Sequence, residues 1–425
     1  MTIENTFRSL GRFNYRIWAA GALVSNIGTW MQRIAQDWLV LTQLTHNNAT
    51  AMGVVMGLQF GPQLLLLPLT GLAADYFDRR KLLMVTQGAQ GVLAIGLGVL
   101  TITGLVQLWH VFVFAFLFGC VTALDAPARQ TFVSDLVEDA DLPNAVALNS
   151  TSFNAARMIG PAVAGVVIAG AGTGWAFLIN GVSFAAVLIS LYFLRRGELR
   201  RNLRAKALGG GLAEGFRYVW RRPDLMTILV MLFLIGTFGL NFPIFISTMA
   251  VRVFHVGAGG YGLLTSIMAI GTVAGALFAA GWELPSFVQL LASAAVFGAG
   301  CALAALMPDF WLFAAVLVVI GVSALLLLNF TNSMMQLSTE PVMRGRMMAF
   351  RLGVAMGGTP LGAPVVGLVI DAYGPRWGLS VGAAAGIVAA LVVAVYLAKY
   401  GRARRQGDDG RVGLKAEDHD PLIAP

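Results

Sequence analysis

The sequence predicts an all-α membrane protein: twelve transmembrane helices in two pseudo-symmetric six-helix bundles. Three observations carry this prediction. Of 425 residues, 57% are hydrophobic and only 12% charged. Mean hydropathy is +0.75. Soluble globular chains carry about 25% charged residues, so the apolar excess is too large for one aqueous core. Second, apolar runs near the roughly 20 residues that span a bilayer recur along the chain. Third, the two halves echo one another.

The runs fall at about 14–40, 51–74, 82–103, 107–127, 145–170, 174–194, 225–248, 259–281, 286–306, 310–330, 345–370 and 377–398. They are long and continuous, unlike the short alternating segments of a transmembrane barrel, the other spanning design. Polar residues interrupt the first run most. Lys and Arg collect on one side of this topology, which orients both termini to the cytoplasm. That side takes Arg8, Arg12, Arg79, Arg80, Lys81, Arg129, the stretch from Arg195 to Arg222, Arg344 and Arg346. The opposite loops keep Arg252 and Arg376. The division is therefore 1–194 for an N-terminal bundle, 195–224 for a basic cytoplasmic linker, 225–400 for a C-terminal bundle and 401–425 for a disordered cytoplasmic tail. The linker reads as a topogenic segment lying on anionic lipid, or as a regulatory docking site. A shift of 202 residues pairs Glu138 with Glu340, Gly160 with Gly362, Gly165 with Gly367, Val167 with Val369, Ile168 with Ile370, Gly172 with Gly374 and Trp175 with Trp377. Repeats of this kind build transporters with a site between the halves.

Several function classes receive no support. Cys120 and Cys301 sit in apolar runs and imply neither disulfide framework nor metal site. His46, His110, His255 and His419 match no ligand spacing. No metal or other cofactor is expected. The net charge of +8 is confined to short loops, which speaks against nucleic acid as a partner. There is no phosphate-binding G-x-x-x-x-G-K-[ST] loop for ATP and no nucleophile–base constellation, so an enzyme is not expected. The polar stretch from Met1 to Tyr15 leads into a run too long for a cleavable signal peptide.

Charged residues inside apolar spans are costly and mark function. Asp37 is the acid that sits well within a predicted span, and Arg33 lies one helical turn before it. Arg157 lies inside span 5. Two readings stay open for Asp37: exchange of protons or a cationic substrate, or a permanent salt bridge with Arg33 that fixes span 1. Asn26, Gln32, Gln36, Gln59, Gln63, Asn149, Asn154, Asn241, Asn329 and Asn332 are cavity candidates. Trp30, Met31, Phe153, Phe238, Phe242 and Met334 would supply an adaptable apolar wall.

The loop after span 2 reads Gly71-Leu-Ala-Ala-Asp75-Tyr-Phe-Asp78-Arg79-Arg80-Lys81. It resembles the G-x-x-x-D-x-x-G-R-[RK] signature of the major facilitator superfamily through Gly71, Asp75, Arg79 and Arg80. Asp78 stands where that family usually has glycine. In span 5, Ala156-Arg157-Met158-Ile159-Gly160-Pro161-Ala162-Val163-Ala164-Gly165 is similar to the family's G-x-x-x-G-P-x-x-G-G antiporter motif. Ala156 and Ala164 replace two glycines. Asp125-Ala-Pro-Ala-Arg129-Gln130, Leu142-Pro-Asn-Ala-Val-Ala-Leu-Asn149 and Trp30-Met-Gln-Arg33-Ile-Ala-Gln-Asp37-Trp38 resemble a narrower branch of enterobactin-type exporters and macrolide and multidrug efflux proteins. The resemblance covers about residues 10–400. Two features depart from it: Ala115 replaces an arginine of span 4, and the loop from Gly281 to Pro285 lacks the basic residues of a second latch.

The resemblance implies the major facilitator fold and a conformational latch of Gly71, Asp75, Arg79, Arg80 and Asp125. It also implies an antiporter-type motif of Arg157, Gly160, Pro161 and Gly165. Function follows as an expectation: a monomeric, proton-driven inner-membrane exporter of amphiphilic small molecules. A metabolite importer or proton symporter, and a non-transporting membrane scaffold or sensor, remain alternatives.

Overall fold

The computed structural model describes residues 7–66, 78–200, 212–281 and 285–405. Span 1 is helix α1, Phe13–Trp38, continued by wider π turns over Leu39–Leu44. Span 2 begins at α2, Ala49–Leu65, whose first turn is capped by the Asn48 side chain. Spans 3 to 6 are α3 (Arg79–Ile102), α4 (Leu108–Leu136), α5 (Leu142–Ala171) and α6 (Thr173–Phe193). A short helix α7, Leu212–Trp220, leads into the second half. Span 7 is broken: α8 (Pro223–Leu234), a π turn over Ile235–Gly239, then α9 (Phe242–Arg252). Spans 8 to 10 are α10 (Ala258–Ala280), α11 (Phe287–Leu306) and α12 (Phe310–Ser338). Span 11 is also broken, into α13 (Pro341–Gly357) and α14 (Thr359–Tyr373). Span 12 is α15, Pro375–Arg405.

The described residues form no strand. Ten of their helical segments are long and apolar enough to cross a membrane. The other two spans fall short for identifiable reasons. Span 1 carries polar side chains all along its length, many of them buried against neighbouring helices. Span 2 adjoins residues 67–77, which are not described. The result is the twelve-helix membrane fold expected from the sequence.

Several helices outrun their predicted ends. Span 4 continues to Leu136 rather than 127, and span 10 to Ser338 rather than 330. A hydropathy ruler stops where charge begins. In span 4 the charges are satisfied locally, Arg129 by Asp125 and Asp135 by Arg79, so the helix continues; the span 10 extension is polar but uncharged, and Thr331 donates back to the Leu327 carbonyl. Span 12 likewise runs on to Arg405, past the boundary read at 400. The rest of the expected tail, 406–425, lies outside the described residues.

Packing follows the repeat. In the first half, span 3 packs on 6, span 2 on 4 and span 1 on 5 and 6; in the second, span 9 packs on 12, span 8 on 10 and span 7 on 12. The halves meet through two equivalent pairs, span 2 against 11 and span 5 against 8. The paired glycines have matching tasks. Gly172 and Gly374 end α5 and α14 with φ of +93° and +100°, a backbone region that side chains disfavour. Gly160 lies against Trp30 of span 1, and Gly362 against Thr237 of span 7, too close for a side chain at either. Gly165 faces Gly259 of span 8, and Gly367 faces Ala49 of span 2.

At the end of the bundle opposite the termini, the halves are clasped by hydrogen bonds. The Asp371 carboxylate accepts from the backbone N–H groups of Ala49 (2.9 Å) and Thr50 (2.8 Å), and from the Thr50 hydroxyl (2.7 Å). The two amides are unpaired donors of the first turn of α2, and the negative charge suits that helix end. Arg252 of span 7 donates to Asp371 at 2.7 Å, to the Ile370 carbonyl at 3.2 Å and to the Asn47 carbonyl.

Candidate functional site

Between the halves lies a cavity of about 260 Å³. Span 1 supplies Trp30, Arg33, Ile34 and Asp37; span 2 supplies Met56, Gln59 and Phe60; span 5 supplies Arg157. The second half supplies Leu240, Phe242, Pro243 and Ile246 from the broken span 7, and Tyr261, Thr265 and Met268 from span 8. Leu325 and Leu328 of span 10 and Thr359 of span 11 complete much of the wall. Most of this surface is apolar, with a few converging polar groups, as in small-molecule sites generally.

Sequence spacing explains how span 1 presents its groups. Trp30, Arg33, Ile34 and Asp37 recur at three- and four-residue intervals, so one helix face carries them. The Asp37 carboxylate accepts a hydrogen bond from the Tyr261 hydroxyl at 2.9 Å. Asp37 belongs to the first half and Tyr261 to the second, so this bond crosses between the halves. The Tyr261 ring stacks on Trp38, with centroids 6.4 Å apart and planes inclined by 21°.

The salt bridge entertained for Arg33 and Asp37 is not formed. Among the described residues neither Arg33 nor Arg157 has a carboxylate within 4.0 Å. The Arg33 guanidinium lies instead over the Trp30 ring at 4.7 Å and near the Phe60 ring at 5.8 Å. Its Nε is buried without a hydrogen-bond partner. Arg157 approaches the same Trp30 ring at 5.5 Å. The electron-rich ring faces hold both cations.

The antiporter-type motif sets this arrangement. Gly160 lets span 5 approach span 1 at Trp30, one turn from Arg157. The Pro161 carbonyl and Gly165 face Gly262 of span 8, and Ser266 donates to the Met158 carbonyl at 2.8 Å. Pro161 lies within α5, which stays helical through it.

Span 7 opens beside the cavity because its helix changes pitch over Ile235–Gly239 and restarts at Phe242, with Pro243 in the new first turn. Asn241 donates to the Thr237 carbonyl at 2.8 Å. The Asn241 Oδ1 and Thr237 Oγ1 atoms are buried without partners. The break in span 11 meets it, with Gly358 against Thr237.

Of the other cavity candidates, only Gln59 lines the cavity. Gln63 donates back to the Gln59 carbonyl at 3.5 Å. Gln32 accepts from Asn180 of span 6 at 2.5 Å, so it packs span 1 within its own half. Gln36 is buried away from the lining residues. Asn154 donates to the Ser150 carbonyl. Asn329 does not reach the lining. Asn26 accepts from Arg129 at 3.2 Å.

Of the expected Asp75, Arg79 and Asp125 network, Arg79 and Asp125 are described, and each pairs with another residue. Gly71 and Asp75 lie outside the described residues. Arg79 pairs with Asp135 at 2.8 Å. Asp125 accepts from Thr86 and Gln87, both at 2.7 Å, and pairs with Arg129 at 2.9 Å. Asp125 and Asp135 share α4, and ten residues of helix amount to about 15 Å. Arg79, at the start of α3, meets the nearer carboxylate. Arg80 donates to the Leu191 carbonyl at 2.7 Å and ties span 3 to span 6. Tyr261 and Asp371 were missed in the sequence. A tyrosine in an apolar run gives no signal, and Asp371 falls one residue beyond the predicted span.

Comparison with known proteins agrees with this architecture. The family profile described as transmembrane secretion effector matches residues 6–407. The staphyloferrin A transporter of Staphylococcus aureus is 34% identical over 167 residues, which is 39% of this chain and 42% of that protein. That match thus spans less than half of the relative. The multidrug efflux pump Tap of Mycolicibacterium fortuitum is 26% identical over 371 residues, covering 83% of this chain and 88% of the relative. Among solved structures, a bacterial homolog of the human lysosomal transporter Spinster, inward-facing and unoccupied, superposes with a TM-score of 0.69. It is 14% identical, covering 95% of this chain and 98% of its own, and at that identity it speaks for the fold alone. The chain belongs to the transmembrane secretion effector family of the major facilitator superfamily.

Proposed function

We propose that the protein is a secondary transporter that exports amphiphilic small molecules across the inner membrane, driven by protons and working by alternating access. The observation that carries this reading is the Asp37–Tyr261 hydrogen bond, a carboxylate in the cavity wall whose donor sits on the other half. When the halves rock, such a bond forms in one arrangement and breaks in the other. The same motion thereby changes how the carboxylate is solvated, and so how readily it takes a proton. The relative described as a multidrug efflux pump favours export over import.

In this reading the termini and the 195–224 linker are cytoplasmic, and the Asp371 clasp closes the outer side. The bundles 1–194 and 225–400 are the moving bodies of a monomer. Substrate enters from the cytoplasm while Asp37 is ionised and held by Tyr261. Opening of the outer side parts Asp37 from Tyr261, the substrate leaves and a proton binds. Return to the first arrangement restores the tyrosine bond and releases the proton inward.

The test is substrate uptake into inverted vesicles at several imposed pH gradients, for wild type, Asp37→Asn and Tyr261→Phe. Asp37→Asn should abolish the gradient dependence while substrate binding persists, and Tyr261→Phe should weaken it. Equal gradient dependence in wild type and Asp37→Asn would sink the coupling role.

A further inference from the structure

We propose that the cavity selects organic anions: amphiphiles whose carboxylate is held by Arg33 and Arg157 while an apolar body rests on the second half. The proposal rests on the transport reading above and names the class of cargo.

The charge balance of the wall carries it. Its formally charged residues are Arg33, Asp37 and Arg157, two cations against one anion. The single carboxylate already accepts from Tyr261. The guanidiniums have their N–H groups uncommitted among the described residues, and Arg33 Nε is buried with no acceptor. A buried donor without a partner is costly, and Arg157 lines the same cavity with no carboxylate within 4.0 Å among the described residues. A carboxylate suits either group, because its two oxygens match the planar fork of a guanidinium.

Both guanidiniums lie within the length of one amphiphile, so its carboxylate can take either of them with the other close by. The two guanidinium carbons lie 4.7 and 5.5 Å from the same Trp30 ring centroid, so no more than the sum of those distances separates them. The ring supports them without neutralising them. A cationic ligand meets the reverse situation: two like charges, and a carboxylate it must share with Tyr261.

A third cation lies toward the termini. Arg351 of span 11 donates to the Leu328 carbonyl at 2.7 Å and to the Thr331 hydroxyl at 3.4 Å, both neutral, and its Nε is also buried without a partner. Leu328 itself lines the cavity. The positive potential thus extends from the cavity along the side from which cargo would enter. Ile246, Met268, Leu325 and Leu328 of the second half provide the apolar surface for the body of the ligand.

The experiment is equilibrium dialysis of the purified protein in lipid nanodiscs, with no gradient, against three probes of one shape. These are 2-naphthylacetate, its neutral amide and 2-naphthylethylammonium. The carboxylate should bind about tenfold or more tightly than the amide, the scale of a charge-assisted hydrogen bond, and the ammonium should bind weakest. Arg33→Gln and Arg157→Gln should each erase most of that preference, since the charge-assisted bond is what they remove. Retained amide binding shows that the variants fold. Amide or ammonium binding as tight as carboxylate binding overturns the proposal, as does retention of none of the three. The wild-type ranking decides even if both variants misfold. The measurement is independent of coupling: an intact carboxylate preference without gradient-dependent efflux removes the proton reading alone. Gradient-dependent efflux with no carboxylate preference removes the anion class alone.

Discussion

Replacing Asp371 with asparagine should loosen the clasp opposite the termini and shift the protein toward a state open at that end. The carboxylate accepts four hydrogen bonds, from the Ala49 and Thr50 amides, the Thr50 hydroxyl and Arg252. An asparagine of the same shape has one acceptor oxygen, and its amide nitrogen faces donors. Hydrogen bonds to a charged group contribute about 1.5–3 kcal/mol and neutral ones about 0.5–1.5. Downgrading or losing several of them would reach about 4 kcal/mol if nothing compensated. Asp371 and Arg252 are only about three-quarters buried, with side-chain exposures of 25% and 23%. Water therefore returns part of the loss, and a net shift of about 2–3 kcal/mol remains. That changes the ratio of the two states roughly 30- to 150-fold. Spin labels at His46→Cys and Tyr373→Cys, on the two sides of the clasp, report the opening by electron–electron distance. Cys120 and Cys301 are replaced beforehand. A longer-distance population should emerge in Asp371→Asn, and also in Arg252→Gln. Distributions identical to wild type would refute the reasoning and reduce the clasp to a helix cap.

Three further outcomes are expected. Gly160→Leu should weaken binding of any cavity ligand roughly 5- to 150-fold. A side chain there meets Trp30 and stands 2.9 Å from the Ile27 carbonyl; overpacking of this kind costs about 1–3 kcal/mol, and ligand titration measures it. Arg129→Ala should lower the thermal unfolding midpoint more than the Arg129→Ala, Asp125→Asn double variant does. Breaking a buried pair from one side costs about 3–5 kcal/mol and removing both charges far less; scanning fluorimetry in detergent distinguishes the two. Reporter fusions at Gly209 and at the C-terminus should both score as cytoplasmic, and an outer location for either would overturn the proposed orientation.

Much of this fold is legible in the sequence because a bilayer enforces it. Backbone polar groups in hydrocarbon must be paired within the helix, so long apolar runs have one outcome. Arg33, Asp37 and Arg157 stand out for a related reason, since charge within such runs is rare. Tyr261 does not stand out. Its importance comes from a contact 224 residues away along the chain, which requires the rotation of two helices and the packing of the halves. Rotation also separates Gln59, which faces the cavity, from Gln32, which faces span 6. Both are glutamines in apolar spans, and nothing local tells them apart. Arg79 pairs with Asp135 and not with Asp125, because the resemblance supplied a pattern of residues without the axial distance between the two carboxylates.

The repeat preserves packing and not charge. Gly160 and Gly362, Gly165 and Gly367, and Gly172 and Gly374 perform the same tasks in the two halves. The register that aligns those glycines sets Arg157 opposite Thr359, and both line the cavity. One half thus presents guanidinium where the other presents a hydroxyl. Arg33, Asp37 and Arg157 all belong to the first half, while the second contributes Tyr261, threonines and apolar wall. Two halves built alike can rock symmetrically about their shared contacts, span 2 on 11 and span 5 on 8. A site charged on one side only does not respond symmetrically to that rocking. The polar bond that crosses the cavity, Asp37 to Tyr261, joins the charged wall to the neutral one, and in the proposed cycle its making and breaking would report the position of the halves to the single carboxylate in the cavity wall.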